Sequence, residues 1–279
     1  MGPYHEGELA VQRRAGVADR AAQVGRIVRP TIPEPARAFA SVREFVILGA
    51  ADEQGRVWAT LLQGPPGFLS VPADDRLRIA ATPPCDDPLA TALDTGRDVG
   101  VLAIDPATRR RMRVNGRAST IAPGVIEIVT REVYSNCQKY IHPREVRLPH
   151  APAASAVRGK TLTGNQAAWL ASADTLFIAS RHPAAGADVS HRGGPAGFVH
   201  VAGPNRLLLP DYRGNMMFNT LGNLAAHPEG GILLVDFERG ATLQLSGRAV
   251  IHWDVDAAEF PGAERLVELD VEAVIERGR

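Results

Sequence analysis

Gly64-Pro-Pro-Gly-Phe68 and Gly194-Pro-Ala-Gly-Phe198 are two versions of one turn, and the sequence around them recurs as well. Val71, Arg76 and Leu77 fall on Val201, Arg206 and Leu207 at the same offset. With one residue added, Gly100, Leu102, Asp105 and Gly116-Arg-Ala118 fall on Gly231, Leu233, Asp236 and Gly247-Arg-Ala249. Repetition at this length implies two similar lobes, with a site where they pack. Short runs of strand-forming residues between turn residues surround both copies. In the first they cover 44–48, 57–62, 67–71, 77–81, 99–104, 111–121 and 125–129, with a helical stretch at 88–93. In the second they cover 174–179, 187–190, 196–201, 206–209, 231–237 and 242–251, with a helix at 220–226. The tail 266–275 alternates like a closing strand, although a helix fits it too. Many short, evenly spaced strands indicate a mainly β fold, a barrel with a few helices.

The boundaries follow from composition. Residues 1–40 read as an N-terminal helix over 8–26 and a Pro-broken arm, 41–142 as the first lobe, 143–160 as a linker rich in Pro, Ala and His, and 161–279 as the second lobe. Of the 279 residues 45% are hydrophobic, enough for two cores. Lys plus Arg equals Asp plus Glu at 31 each, so no global field attracts nucleic acid or anionic lipid, and any anion site is local. No apolar run is long enough to span a bilayer and no secretory signal opens the chain, which points to the cytoplasm. Cys85 and Cys137 fit reducing surroundings, and with no His cluster at ligand spacing no metal site is expected.

Three segments could carry chemistry. The first, Leu209-Pro-Asp-Tyr-Arg-Gly-Asn-Met-Met-Phe-Asn-Thr-Leu-Gly-Asn-Leu224, leaves a strand, turns at Gly214 and enters a helix. Free N–H groups at a helix start, with Arg213, Asn215, Asn219, Thr220 and Asn223 nearby, suit a phosphate. The alternative is that Asn219 or Thr220 simply caps the helix. The second, Ser190-His-Arg-Gly-Gly-Pro-Ala-Gly197, is a hairpin turn or a bend that lets a planar ligand approach. In the third, Arg111 and Arg113 share one strand face, either as solvated charge or as a phosphate contact across the lobes. No Gly-x-Ser-x-Gly elbow is present, and proximity of Cys137 to His142 in sequence does not make a catalytic pair.

These segments resemble the flavin-binding split barrels of the pyridoxamine 5'-phosphate oxidase family. The likeness is clearest over 187–251, where the strand-turn-helix, His227-Pro228, the run Gly231 to Phe237 and the run Thr242 to Ala249 follow the order of the family's phosphate loop and next two strands. Arg111 to Ala118 and Ser135 to Ile141 are similar to the N-terminal half of a two-lobed branch. The resemblance implies tandem FMN-binding split barrels with FMN at a barrel interface. Ser190, His191 and Arg192 would face the isoalloxazine and ribityl chain, Asn215, Asn219 and Thr220 would form the phosphate loop, and Thr242 or Gln244 would approach the ring. Many members have Arg or Lys in the loop where this chain has Met216, Met217 and Phe218; Arg213, or Arg111 and Arg113, would supply the missing charge. The implied activity is flavin-mediated redox on a small molecule or redox partner; a non-catalytic module holding flavin, haem or another ligand is the alternative. Near Asn219 and Thr220, the repeat has Pro88 and Leu89, which offer no side-chain donor, so one phosphate site per chain is expected. Either the lobes pair within one chain or two chains pair to complete composite sites; since single-lobe relatives pair barrels between chains, a homodimer is the expectation.

Overall fold

The computed structural model describes residues 2–93, 96–135, 138–146, 148–149 and 155–278. Helices α1 (Glu6–Arg14), α2 (Ala18–Val24) and α3 (Glu34–Ser41) precede strands β1 (Phe45–Ala51), β2 (Val57–Gln63), β3 (Leu69–Ala73), β4 (Arg76–Ile79), β5 (Arg97–Asp105), β6 (Arg110–Ala122) and β7 (Val125–Tyr134). After β8 (Val157–Gly159) and α4 (Gly164–Ser172) come β9 (Thr175–His182), β10 (Gly186–Gly193), β11 (His200–Gly203), β12 (Arg206–Tyr212), α5 (Asn219–Ala226), β13 (Glu229–Val235), β14 (Thr242–His252) and β15 (Ala263–Arg277). Among the described residues no helix is long and apolar enough to cross a membrane.

Two antiparallel sheets result, ordered β2-β1-β5-β6-β7-β4-β3 and β10-β9-β13-β14-β15-β12-β11. Numbered within its own lobe, each sheet has the same strand order, and β8 extends the second by pairing with β15. Each sheet curls round its own apolar core as a split barrel. The first core takes Leu48, Trp58, Leu69, Ile79, Val101, Val114 and Ile128, one from each of its seven strands. The second takes Ile178, Leu209, Ile232, Leu245 and Leu269 in the same way. Matching glycines serve matching geometry. A Cβ on Gly64 would stand 2.5 Å from Phe68, and one on Gly194 2.7 Å from Phe198. Gly116 and Gly247 face the matching bulges of the two lobes, where β7 carries Arg131 and β15 carries Glu272 as one extra residue.

Strand β1, Phe-Val-Ile-Leu-Gly-Ala-Ala, is buried at every position. Such a run without alternation belongs to a strand covered on both faces. One face feeds the barrel core. The other enters a third core between the lobes, where Phe45, Ile47, Val57, Ala59 and Leu102 meet Phe177, Ala179, Val189, Leu233 and Val235.

Four expectations change. The N-terminal helix is broken at Gly16, whose φ of 68° only glycine adopts easily. The Pro-broken arm contains α3, because Pro35 in the first turn needs no N–H partner. Residues 88–93 form turns rather than a helix. Part of the linker is packed: Val146 and Leu148 lie against the inter-lobe core, and Arg144 pairs with Asp174 at 2.6 Å. The tail is a strand.

Candidate functional site

Close approach of the lobes depends on absent side chains. A Cβ on Gly100 would lie 2.6 Å from Val189 N, and one on Gly231 2.5 Å from the Val57 carbonyl oxygen, so β5 presses on β10 as β13 presses on β2. Beside this interface opens a cleft of about 100 Å³. Arg111 and Arg113 reach it from β6 of the first lobe; Ser190, His191 and Arg192 from β10, Asn215 from the loop, and Asn219 and Thr220 from the start of α5 reach it from the second. Eight of the residues singled out from sequence therefore converge on one cleft.

The deepest of them hold one another. Arg113 Nη1 donates to Asp188 Oδ1 and to the Tyr134 hydroxyl, both at 2.9 Å. Ser190 Oγ donates to Asp188 Oδ2 at 3.1 Å and accepts from Thr220 Oγ1 at 2.9 Å. Burial opposes the Arg113 charge, but Asp188 and Tyr134 together more than offset it and hold the guanidinium ionised. Arg113 is consequently paired, and it also reaches Asn219 Oδ1 at 3.4 Å. Its Nε is buried with no hydrogen-bond partner among the described residues.

The rim is more available. Arg192 donates to Asp211 at 2.7 Å, and Asp211 also accepts from Arg265, which is itself paired with Glu264 at 2.6 Å. Arg111, Arg113, Lys139 and Arg192 line the cleft, and none of the described lining residues is a carboxylate. The His191 pKa lies well below the usual imidazole value, first through burial and then through the charges of Arg111, Arg192, His142 and Arg144. Burial is the main cause of its neutrality, and the neighbouring cations add to it.

Helix α5 opens without the cap considered from sequence. The N-cap position belongs to Phe218, whose side chain makes no capping hydrogen bond; Asn219 Nδ2 donates instead to Glu8 Oε1 at 2.6 Å. Met216 and Phe218 both have positive φ, 66° and 61°, and between them Met217 is fully buried. Left-handed backbone at non-glycine residues costs about 1 kcal/mol or more each and gathers at binding loops. The uncapped N–H groups of α5 thus stand beside a cationic cleft.

Four expected residues lie elsewhere. Arg213 does not line the cleft; its carbonyl accepts from Lys139 Nζ at 3.1 Å and from the Tyr140 hydroxyl at 3.2 Å. Asn223 lies one helical turn too far along α5 and is buried, bonded to Ser180 and His5. Thr242 and Gln244 sit on β14, in the position that β6 holds in the first lobe; Thr242 therefore borders a second cavity instead, and Gln244 is buried behind it against Asp87. Cys137 lies outside the described residues. Lys139, Tyr140 and Tyr212 line the cleft without having been singled out as site residues; Asp188 was legible as the same-face neighbour two residues before Ser190.

The N-terminal helix closes the back of the site. Gly7 and Gly222 let α1 and α5 touch backbone to backbone, and His182 Nε2 donates to Glu6 at 2.8 Å while its Nδ1 accepts from the N–H groups of Ala184 and Ala185. His5, Glu6 and His182 lie close enough to share a metal ion, but His5 Nδ1 accepts from Gly7 N and these rings act as a hydrogen-bonded clasp. Glu8 accepts from Asn219 and from His5 N, and burial, with Glu132 and Asp188 adding to it, pushes its pKa up to about 8. The fold therefore binds a proton that the unfolded chain releases. The stabilisation is fully present below the usual value of 4.5 and is lost as pH rises towards 8, by up to about 1.4 kcal/mol per unit. Glu8→Gln is expected to flatten this slope, leaving the variant more stable than wild type at pH 8 in chemical denaturation. Parallel stability profiles for the two proteins would show that Glu8 ionises in the fold without cost.

No family model matches the sequence, and a search of curated proteins finds no match. Solved structures are similar to part of it. A putative pyridoxamine 5'-phosphate oxidase from Lactobacillus delbrueckii is 20% identical over 42% of this chain and 98% of its own, with a TM-score of 0.34. HupZ of Group A Streptococcus is 12% identical over 40% of this chain and 90% of its own, at 0.33. An FMN-binding protein from Syntrophomonas wolfei is 13% identical over 40% and 84%, at 0.29.

Proposed function

We propose that the chain binds FMN with its phosphate in the inter-lobe cleft and works as a flavin-dependent oxidoreductase on a small molecule or redox partner. The observation that carries this reading is the convergence of Arg111, Lys139 and the ion-paired Arg113 and Arg192 with the uncapped start of α5 on a cleft whose described lining has no carboxylate. Arg111, Arg192 and Lys139 would face the phosphate, with Asn215, Thr220 and neutral His191 as hydrogen-bond partners. Bound there, the flavin supplies the redox chemistry, while the protein supplies anchoring and orientation. Because Arg111 and Ser190 come from different lobes of one chain, we propose that a monomer suffices for the site. Light scattering of the FMN-loaded protein tests this; full occupancy found only in a dimer counts against it.

A titration followed by flavin absorbance is the direct experiment, and one equivalent per chain is expected. Thr220→Ala should weaken FMN by roughly 3- to 10-fold, since one neutral hydrogen bond is lost. Bleaching of the bound flavin by a reduced nicotinamide separates an enzyme from a module that only holds its ligand. A protein that takes up no FMN overturns the reading.

A further inference from the structure

The lobe interface borders a second cavity, of about 390 Å³, and strand register fixes its relation to the first. Thr60 pairs with Leu48 as Ser190 pairs with Ile178, and Gln244 pairs with Leu233 as Arg113 pairs with Leu102. Thr60 and Gln244 thus hold the places that Ser190 and Arg113 hold in the first cleft. Between them is a carboxylate. Asp87 Oδ2 accepts from Thr60 Oγ1 at 2.8 Å and from Gln244 Nε2 at 3.0 Å, Oδ1 accepts from Leu89 N at 2.9 Å, and the Arg277 guanidinium stands 3.6 Å away. The Asp87 side chain is 1% exposed. A hydroxyl, an amide, a backbone N–H and a guanidinium from separate segments make the donor set of a bound oxyanion.

We propose that the second cavity is an anion-binding site whose ligand is the chain's own Asp87 carboxylate, which keeps phosphate-bearing ligands out of it. The consequence for stoichiometry, one FMN per chain, rests on the function proposed above; the self-occupied site does not. Sequence suggests that donors are lacking at Pro88 and Leu89. The structure gives a different reason: donors are present and already engaged.

Deleting the carboxylate takes the acceptor from Thr60 Oγ1 and Leu89 N, whereas Gln244 Nε2 keeps Ala59 O and Arg277 keeps Gln244 and Asp86; an anion small enough to enter then stabilises the fold by mass action. Asp87→Ala should melt below wild type and recover by about 3 °C or more in 100 mM formate, relative to chloride at equal ionic strength, on the order of a 1 kcal/mol effect. Wild type and Asp87→Asn, in which the space is filled, should not respond. Inorganic phosphate tests whether the emptied site accepts a larger oxyanion, and a selective gain for Asp87→Ala supports the proposal. If Asp87→Ala does not fold in chloride, its refolding yield with and without formate is the readout, and recovery in formate supports the proposal. An equal response of all three proteins to formate, or no response of Asp87→Ala in melting or refolding, overturns it. None of these measurements uses flavin, so failure to bind FMN and failure of this proposal are separate results.

Discussion

Gly231→Val is expected to cost about 3 kcal/mol or more in stability and to abolish ligand binding at the cleft. A Cβ there would meet not a movable side-chain end but the Val57 carbonyl oxygen at 2.5 Å and Trp58 Cα at 2.8 Å. Relief therefore requires β13 and β2 to separate, which opens the inter-lobe core of Phe45, Ile47, Phe177 and Leu233 to water. The lobes should then unfold in two transitions, and the cleft loses its shape because Arg111 and Arg192 belong to different lobes. Gly100→Val should act in the same way through Val189. Gly164→Ala, where nothing lies within 4 Å, is the control and should leave the denaturation midpoint in place or raise it slightly. A single wild-type-like transition in Gly231→Val would mean that the lobes do not pack at this glycine.

Arg111→Ala is expected to weaken FMN by roughly 10- to 150-fold, the effect of one charge-assisted contact of about 1.5 to 3 kcal/mol. Riboflavin, which lacks the phosphate, should bind the variant and the wild type alike. Added salt should narrow the difference for FMN, because Arg111 is only half-buried. Arg213→Ala should leave FMN affinity unchanged, since that residue meets the site through its backbone carbonyl. Arg113 is a poor probe: its removal strands Asp188 in a buried setting and threatens the fold. Isothermal titration of both ligands with both arginine variants is decisive, and an equal loss for riboflavin would move the anchor out of this cleft.

The fold was legible where period and repetition agree. Strands such as Phe45–Ala51 declare themselves by apolar runs, and Gly64, Gly116, Gly194 and Gly247 mark the same turns and bulges in both lobes. Helix α4 was missed although Thr163 and Gln166 form a capping box, a signal readable in the sequence. At the site, alternation along β6 brought out Arg111 and Arg113, and the glycine run at the end of β10 brought out Ser190, His191 and Arg192. What it could not show is pairing across the chain. The link of Arg113 to Asp188 joins residues 75 apart, that of Glu8 to Asn219 residues 211 apart, and neither has a local pattern. The misplacement of Thr242 and Gln244 has a similar cause: two equivalent edges exist, and only the packing of the lobes decides which cleft each one faces.

Holding both lobes on one polypeptide has a further consequence. In a two-fold homodimer every substitution is made twice, so a change that spoils one ligand site spoils its twin, and loss of either charge or shape is penalised at both. Covalent tandem arrangement releases that coupling. One edge can keep Arg111 and Arg113 while the other carries Thr242 and Gln244, and the second edge can take on the work of holding the halves together. The union is also indifferent to dilution, since the local concentration of one lobe around the other is set by the connecting segment rather than by how much protein is present.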